Sequence, residues 1–153
     1  MHSLRSSRRL AAVWLLAAAT TAWADGGDGG GGSEPGDARS SPDWLAAIAA
    51  INDRRWPAAI AAMRRYLVNN NADADGHNWL AYAYRNSGRL DDAFRHYKRA
   101  LALDPRHLGA HEYIGEAYLQ AGQPDEARKH LKRLAELCSL SCEQYRDLEQ
   151  ALA

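Results

Sequence analysis

The stretch His77–Pro105, HNWLAYAYRNSGRLDDAFRHYKRALALDP, decides the reading of this 153-residue chain, because His111–Ser139, HEYIGEAYLQAGQPDEARKHLKRLAELCS, repeats it 34 residues later. His77 aligns with His111, Leu80 with Ile114, Tyr84 with Tyr118, Gly88 with Gly122, Ala93 with Ala127 and His96 with His130. The period continues backward, since Ala47 precedes Ala81 and Ala59 precedes Ala93 by the same interval. Recurrence at a fixed period of this length signals a stacked repeat.

Each unit has apolar residues three and four apart, interrupted by a breaker halfway. The breakers are Trp56-Pro57, Asn69-Asn70-Asn71, Gly88, Asp104-Pro105, Gly122 and Pro124. Apolar spacing of three and four marks one face of a helix, and short turns between such helices make them antiparallel neighbours. The pattern predicts helices over 43–53, 57–69, 75–87, 90–103, 108–121, 124–138 and 142–152. Gly88 and Gly122 suit left-handed helix ends. Asp91, Asp92, Asp125 and Glu126 fall in first turns, where the helix dipole favours acids, and Pro124 suits a helix start.

The arrangement His77-x2-Leu80-Ala81-x2-Tyr84, Ala93-x3-Tyr97, Pro105 resembles the tetratricopeptide-repeat (TPR) signature W-x2-L-G-x2-Y, A-x3-F, P. His111-x2-Ile114-Gly115-x2-Tyr118 and Ala127-x3-Leu131 continue it. His77 and His111 replace the large aromatic residue, and Ser139 stands where the closing proline would fall. Ala47, Ala59 and Tyr66 mark a weaker first unit. The resemblance implies an all-α solenoid of antiparallel helix pairs with units over about 40–73, 74–107 and 108–141. A final helix, 142–152, would cover the exposed end with Tyr145, Leu148 and Ala151. Ser141 and Gln144 have capping-box spacing for its start.

The N-terminal third reads differently. Arg5, Arg8 and Arg9 precede an apolar run from Leu10 to Ala19, followed by Ala22-Trp23-Ala24. A positive start, a short apolar stretch and a small-x-small site make residues 1–24 a secretory signal peptide by pattern, cleaved after Ala24. The run is shorter than the roughly 20 residues that span a bilayer. Residues 25–42, DGGDGGGGSEPGDARSSP, carry seven glycines and two prolines and read as a flexible linker. The expected domain is 43–153, in the periplasm or outside the cell, without stable membrane insertion.

Charge excludes one function class. The chain has 19 basic and 19 acidic residues; loss of the three leader arginines leaves 16 and 19, a net of −3. Nucleic-acid binding needs a basic surface. The pairs Arg54-Arg55, Arg64-Arg65 and Lys132-Arg133 read as solvated helix faces. No catalytic constellation and no cofactor motif is present in the sequence, so it reads as a non-enzyme.

Cys138 and Cys142 are the two cysteines. In an unbroken helix, residues four apart hold their Cβ atoms about 5–6 Å apart, whereas a disulfide wants about 3.5–4.5 Å. A bend at Ser139-Leu140-Ser141 would allow a bridge that pins the capping helix, as an oxidising compartment favours. The alternatives are reduced thiols or a redox or metal site, which lacks the CxxC spacing and further ligands. His107 and His111 are spaced for metal, but His107 precedes its helix. His77 and His111 are expected to pack between helices, and His96 and His130 to face solvent.

TPR proteins bind partners in a concave groove lined by the first helix of each pair. That resemblance points to Trp44, Ile48 and Asn52 in the first unit. In the second it points to Asn78, Tyr82, Arg85 and Asn86, and in the third to Glu112, Glu116, Leu119 and Gln120. Such a groove is apolar at one end, amide and cationic in the middle, and acidic at the far end. It suits a peptide or helix of a partner protein. Trp44 and Ile48 stand where a carboxylate clamp wants polar groups. The leading function is therefore a protein–protein interaction scaffold or adaptor. The alternatives are metal or redox handling through Cys138 and Cys142, and a permanent accessory subunit of an envelope complex.

Overall fold

A computed structural model describes residues 38–153. The leader 1–24 and most of the Gly-rich segment lie outside the described residues. Seven helices follow in order: α1 (Pro42–Asn52), α2 (Trp56–Asn69), α3 (Ala74–Asn86), α4 (Leu90–Leu103), α5 (Leu108–Gln120), α6 (Pro124–Cys138) and α7 (Glu143–Leu152). All regular structure among the described residues is helical. Each expected helix is present, with ends displaced by at most one or two residues. No helix among the described residues is long and apolar enough to cross a membrane.

Three pairs, α1/α2, α3/α4 and α5/α6, form the array. Small residues at the crossings let the helices of a pair approach closely. Ala47, Ala59, Ala81, Ala93 and Ala127 are completely buried. Larger side chains fill the space beside them, with Met63, Leu80, Tyr97, Ile114 and Leu134 at 0–1% exposure. Close packing of this kind penalises the loss or gain of even one methylene.

The turn inside each pair is one structure used three times. Arg55, Arg89 and Gln123 donate their backbone N–H to the carbonyls of Ala50, Tyr84 and Tyr118 at 2.8–2.9 Å. The residue before each has positive φ: Gly88 at 81°, Gly122 at 70° and Arg54 at 57°. Arg54 thus belongs to a turn and not to a solvated helix face, and it pays the Cβ penalty of the left-handed region that its two glycine counterparts avoid. Arg54→Gly is expected to raise stability by about 0.5–1.5 kcal/mol, read as an upward shift of the denaturation midpoint with an unchanged m-value.

A second device repeats in the latter two pairs. His77 Nε2 lies 3.1 Å from the carbonyl of Asn71, and His77 Nδ1 lies 3.0 Å from His96 Nδ1. The carbonyl can only accept, so Nε2 of His77 carries the proton and its Nδ1 is bare. His96 must then donate from Nδ1, which leaves its own Nε2 bare. His111 repeats the arrangement with Pro105 and His130 at 3.1 and 2.9 Å. His96 stacks on Tyr84 and His130 on Tyr118, at 5.6 and 5.7 Å between ring centroids. His77 and His111 pack between helices as expected. His96 and His130 do not face open solvent: they are half-buried partners of the first pair of rings.

Burial holds His96 and His130 down to about 4, and it lowers His77 and His111 as well. Neighbouring cations, Arg95 and Arg64 for His96 and Lys129 for His130, act in the same direction, against Asp92 and Glu126. A histidine depressed in the folded state contributes stability that is present above its ordinary value near 6.5 and is lost as pH falls through the folded value. Thermal stability should therefore fall between pH 6.5 and 4. The double variant His96→Gln, His130→Gln should show a shallower fall over that window in melts at graded pH.

The last helix, α7, closes the array against α5 and α6. Leu148 is its completely buried residue. It presses on Gly115, where a Cβ would sit 2.5 Å from a Leu148 methyl. Tyr145 is only half-buried and donates to Glu149 at 2.9 Å, and Ala151 is exposed. The covering stripe is thus narrower than expected. The expected capping box is not formed: Cys142 is the N-cap without a side-chain bond, and Ser141 pairs with Ser139 instead. Cys138 and Cys142 are joined by a disulfide with Cα atoms 5.9 Å apart. The bend that permits it sits at Ser139, with φ of 73°.

Candidate partner-binding groove

The first helices of the pairs, α1, α3 and α5, line one side of the array, with α7 continuing the row. On α3 and α5 this side carries an aromatic group. Tyr82 and Tyr113 lie 5.0 Å apart, Trp79 lies 5.7 Å from Tyr82 and 6.2 Å from Tyr113, and Trp56 meets Tyr82 at 6.1 Å. All four rings are half-buried, each keeping one part accessible. Rings that bury area while losing few rotamers are effective anchors for a partner.

Arg85 sits beneath this group. Its guanidinium faces Tyr82 at 5.3 Å and Tyr113 at 5.9 Å, and Nη1 meets Glu116 Oε2 at 2.5 Å. The Arg85 side chain is only 9% exposed, so this pair is largely shielded from water and salt. Asn78, at 3% exposure, and Glu112, at 7%, complete the floor. Nε of Arg85 and Oδ1 of Asn78 are buried without hydrogen-bond partners. Burial first, and then the carboxylates Glu116, Asp147 and Glu143, push Glu112 up to about 8; Arg85 acts in the opposite direction. Burial likewise pushes Tyr113 up to about 12, with Glu112 adding to it.

The structure thus brings Asn78, Tyr82, Arg85, Glu112 and Glu116 together. Asn86 and Gln120 lie exposed at the helix ends beside them. Trp44 takes a different place: it is half-buried, edge-on to Tyr66 of α2 at 5.0 Å, with Arg39 over its ring. Ile48 is half-buried against the core. Trp79, Tyr113 and Trp56 escaped the sequence reading. Trp79 and Tyr113 are 34 residues apart and adjoin Asn78 and Glu112, so the repeat itself carried that signal.

At the outer rim of α3, Asp75 is held by Arg39 and lies 2.8 Å from His107 Nε2. His107 also accepts from Ala110 N at 3.2 Å through Nδ1 and so caps α5. Asp73 caps α3 and accepts from the Tyr66 hydroxyl at 2.6 Å. Arg39, within the segment read as a linker, thus pairs with acids at the start of α3.

The tetratricopeptide-repeat pattern matches residues 45–107 and 84–152, which together span most of the chain. The chain belongs to the tetratricopeptide-repeat family. Solved structures of similar fold include MamA, at 30% identity and a TM-score of 0.58, covering 61% of this chain. This chain spans 55% of that MamA chain, about half its length. The TPR2B domain of yeast Sti1, solved with pHsp70, matches at 21% identity and a TM-score of 0.65, covering 76% of this chain and 91% of that domain. The translocator chaperone SycD of Yersinia enterocolitica matches at 18% and 0.64, covering 72% and 83%. No curated protein sequence matches the chain.

Glu112 gives this TPR groove a pH signature opposite to that of the histidines. An acid raised in the folded state keeps its stabilising contribution below its ordinary value, here 4.5, and loses it as pH rises through about 8. Glu112→Gln should match the parent in stability near pH 4.5. It should exceed it by about 1–3 kcal/mol above pH 8, as read from denaturant melts at both pH values.

Proposed function

We propose that this TPR protein is a non-catalytic interaction scaffold exported to the periplasm or cell envelope, where its groove binds an extended peptide or a helix of a partner protein. TPR folds serve as protein-interaction modules, and the aromatic row over a partly unsatisfied polar floor carries the reading here. Trp79, Tyr82 and Tyr113 offer anchoring area, and Asn78, Asn86 and Gln120 offer amide groups to a partner backbone. The solved structure of the Sti1 domain contains pHsp70 and SycD is a translocator chaperone, which agrees with a partner-binding role without naming this partner. Export rests on the order of charge, apolar run and small-x-small site in residues 1–24.

A photo-reactive phenylalanine analogue in place of Tyr82 should cross-link a discrete partner in cells. The same analogue at Lys98, on the exposed face of α4, should not. Trp79→Ala should weaken capture about tenfold or more while the helical signal is retained. Equal cross-linking from both positions would defeat the groove as the binding face. A one-to-one complex that survives purification would mark a permanent accessory subunit, whereas exchange would mark an adaptor. N-terminal sequencing of the envelope fraction should start at Asp25.

A further inference from the structure

The far end of the groove holds a carboxyl that no other group of the chain partners. Glu112 lies on α5 between α3 and α7 and is 7% exposed, and no hydrogen bond or ion pair reaches its carboxyl. Of the charges acting on it most strongly, three are carboxylates: Glu116 beside it on α5, and Glu143 and Asp147 on α7. One is a cation, Arg85 of α3, and that guanidinium is already engaged with Glu116 at 2.5 Å. Arg146, between the two α7 acids, is exposed. Buried ionisable groups are ordinarily paired, so a carboxyl in this setting is an incomplete pair.

A second observation comes from the neighbouring unit. Asn78 occupies the place in α3 that Glu112 occupies in α5, 34 residues apart, and its Oδ1 is buried without a donor. Two equivalent positions on the groove floor thus each present an acceptor that the chain leaves unfilled. An occupant of the groove must bring donors to both, and at Glu112 the donor has carboxylates on its far side. Tyr113 adjoins Glu112 in sequence and packs on Tyr82 at 5.0 Å, and such ring faces suit the aliphatic stem of a long side chain.

We infer that the α5–α7 end of the groove takes a lysine or arginine side chain of the bound peptide, with Glu112 as its buried counter-charge and Glu143 and Asp147 as its outer acids. The inference rests on the groove reading above and adds the chemical class of the partner. It also gives α7 a second role. Leu148 seats that helix on Gly115, which sets the two α7 acids beside Glu112.

The test is a peptide array of 12-residue sequences, each with one aromatic residue and basic, acidic or neutral side chains at the remaining positions. It is probed with the labelled chain. Bound peptides should carry Lys or Arg at a fixed offset from the aromatic residue. Glu112→Gln should weaken those peptides about tenfold and leave neutral binders unchanged. Glu136→Gln, on the exposed face of α6, makes the same substitution away from the groove and should have no such effect. Circular dichroism establishes that both variants fold. Binding without a basic preference, a preference that survives Glu112→Gln, or equal loss in Glu136→Gln would each overturn the inference while leaving the groove intact. Binding of no peptide at all would remove the groove reading and this inference with it.

Discussion

Close approach of two helices at an alanine is the constraint on which the rest of this structure depends. Ala47 and Ala59, then Ala81 and Ala93, let each pair cross without a gap; in the third pair Ala127 is completely buried, and Gly115 admits Leu148 of α7. A pair this thin cannot bury its outer face alone, so each pair needs a neighbour, and the array follows. Stacking at a fixed step then puts the first helices side by side. Residues 34 apart become neighbours along one surface, which is how Trp79 meets Tyr113, and Arg85 reaches Glu116 between the same two helices. The groove is a consequence of the crossing alanines, although none of them lines it.

The same geometry explains why polar groups end up buried. A groove floor lies between packed helices, so side chains there lose water whether or not they find a partner. Arg85 finds Glu116 and two tyrosine faces. The histidine pairs, away from the groove, show buried polar groups completed from within: a loop carbonyl fixes one ring's tautomer, and that ring fixes the next. Asn78 and Glu112 are the opposite case. Desolvation of an unmatched polar group costs about 1–3 kcal/mol, and a chain that carries two such sites in equivalent positions of its groove is stabilised by whatever fills them.

Period and breaker residues made the fold legible in advance, because left-handed glycines, first-turn acids and crossing alanines each state a local requirement of a helix pair. Three features were not legible, for separable reasons. Arg54 does the work of Gly88 and Gly122, and nothing in its chemistry announces a left-handed turn; only its place 34 residues before Gly88 does. The place of His96 and His130 on the second helix of each pair usually faces solvent, whereas in tertiary packing they accept burial by pairing. Trp44 was drawn into the groove by alignment, but as a terminal-unit residue it turns toward Tyr66 and Arg39. In the groove itself, residue types at the matched positions were readable, and their degree of burial was not, since that depends on the neighbours α4 and α7 supply.

The end of the array joins stability to recognition. In the interior units a groove position is flanked by first helices of two neighbouring pairs. At the third unit α7 takes the place of a neighbouring first helix, and it is short, amphipathic and fixed by its completely buried side chain Leu148. The Cys138–Cys142 bridge spans the turn that leads into it. A bridge over so few residues removes little entropy from the unfolded chain, and its main effect is local: it keeps the start of α7 near the end of α6. Glu143 directly follows the bridged Cys142, and Asp147 lies one turn further along the same helix. The acids that act on Glu112 are thereby carried on the element the bridge restrains, so the cap that hides the last apolar face also sets the charge of the groove's far end.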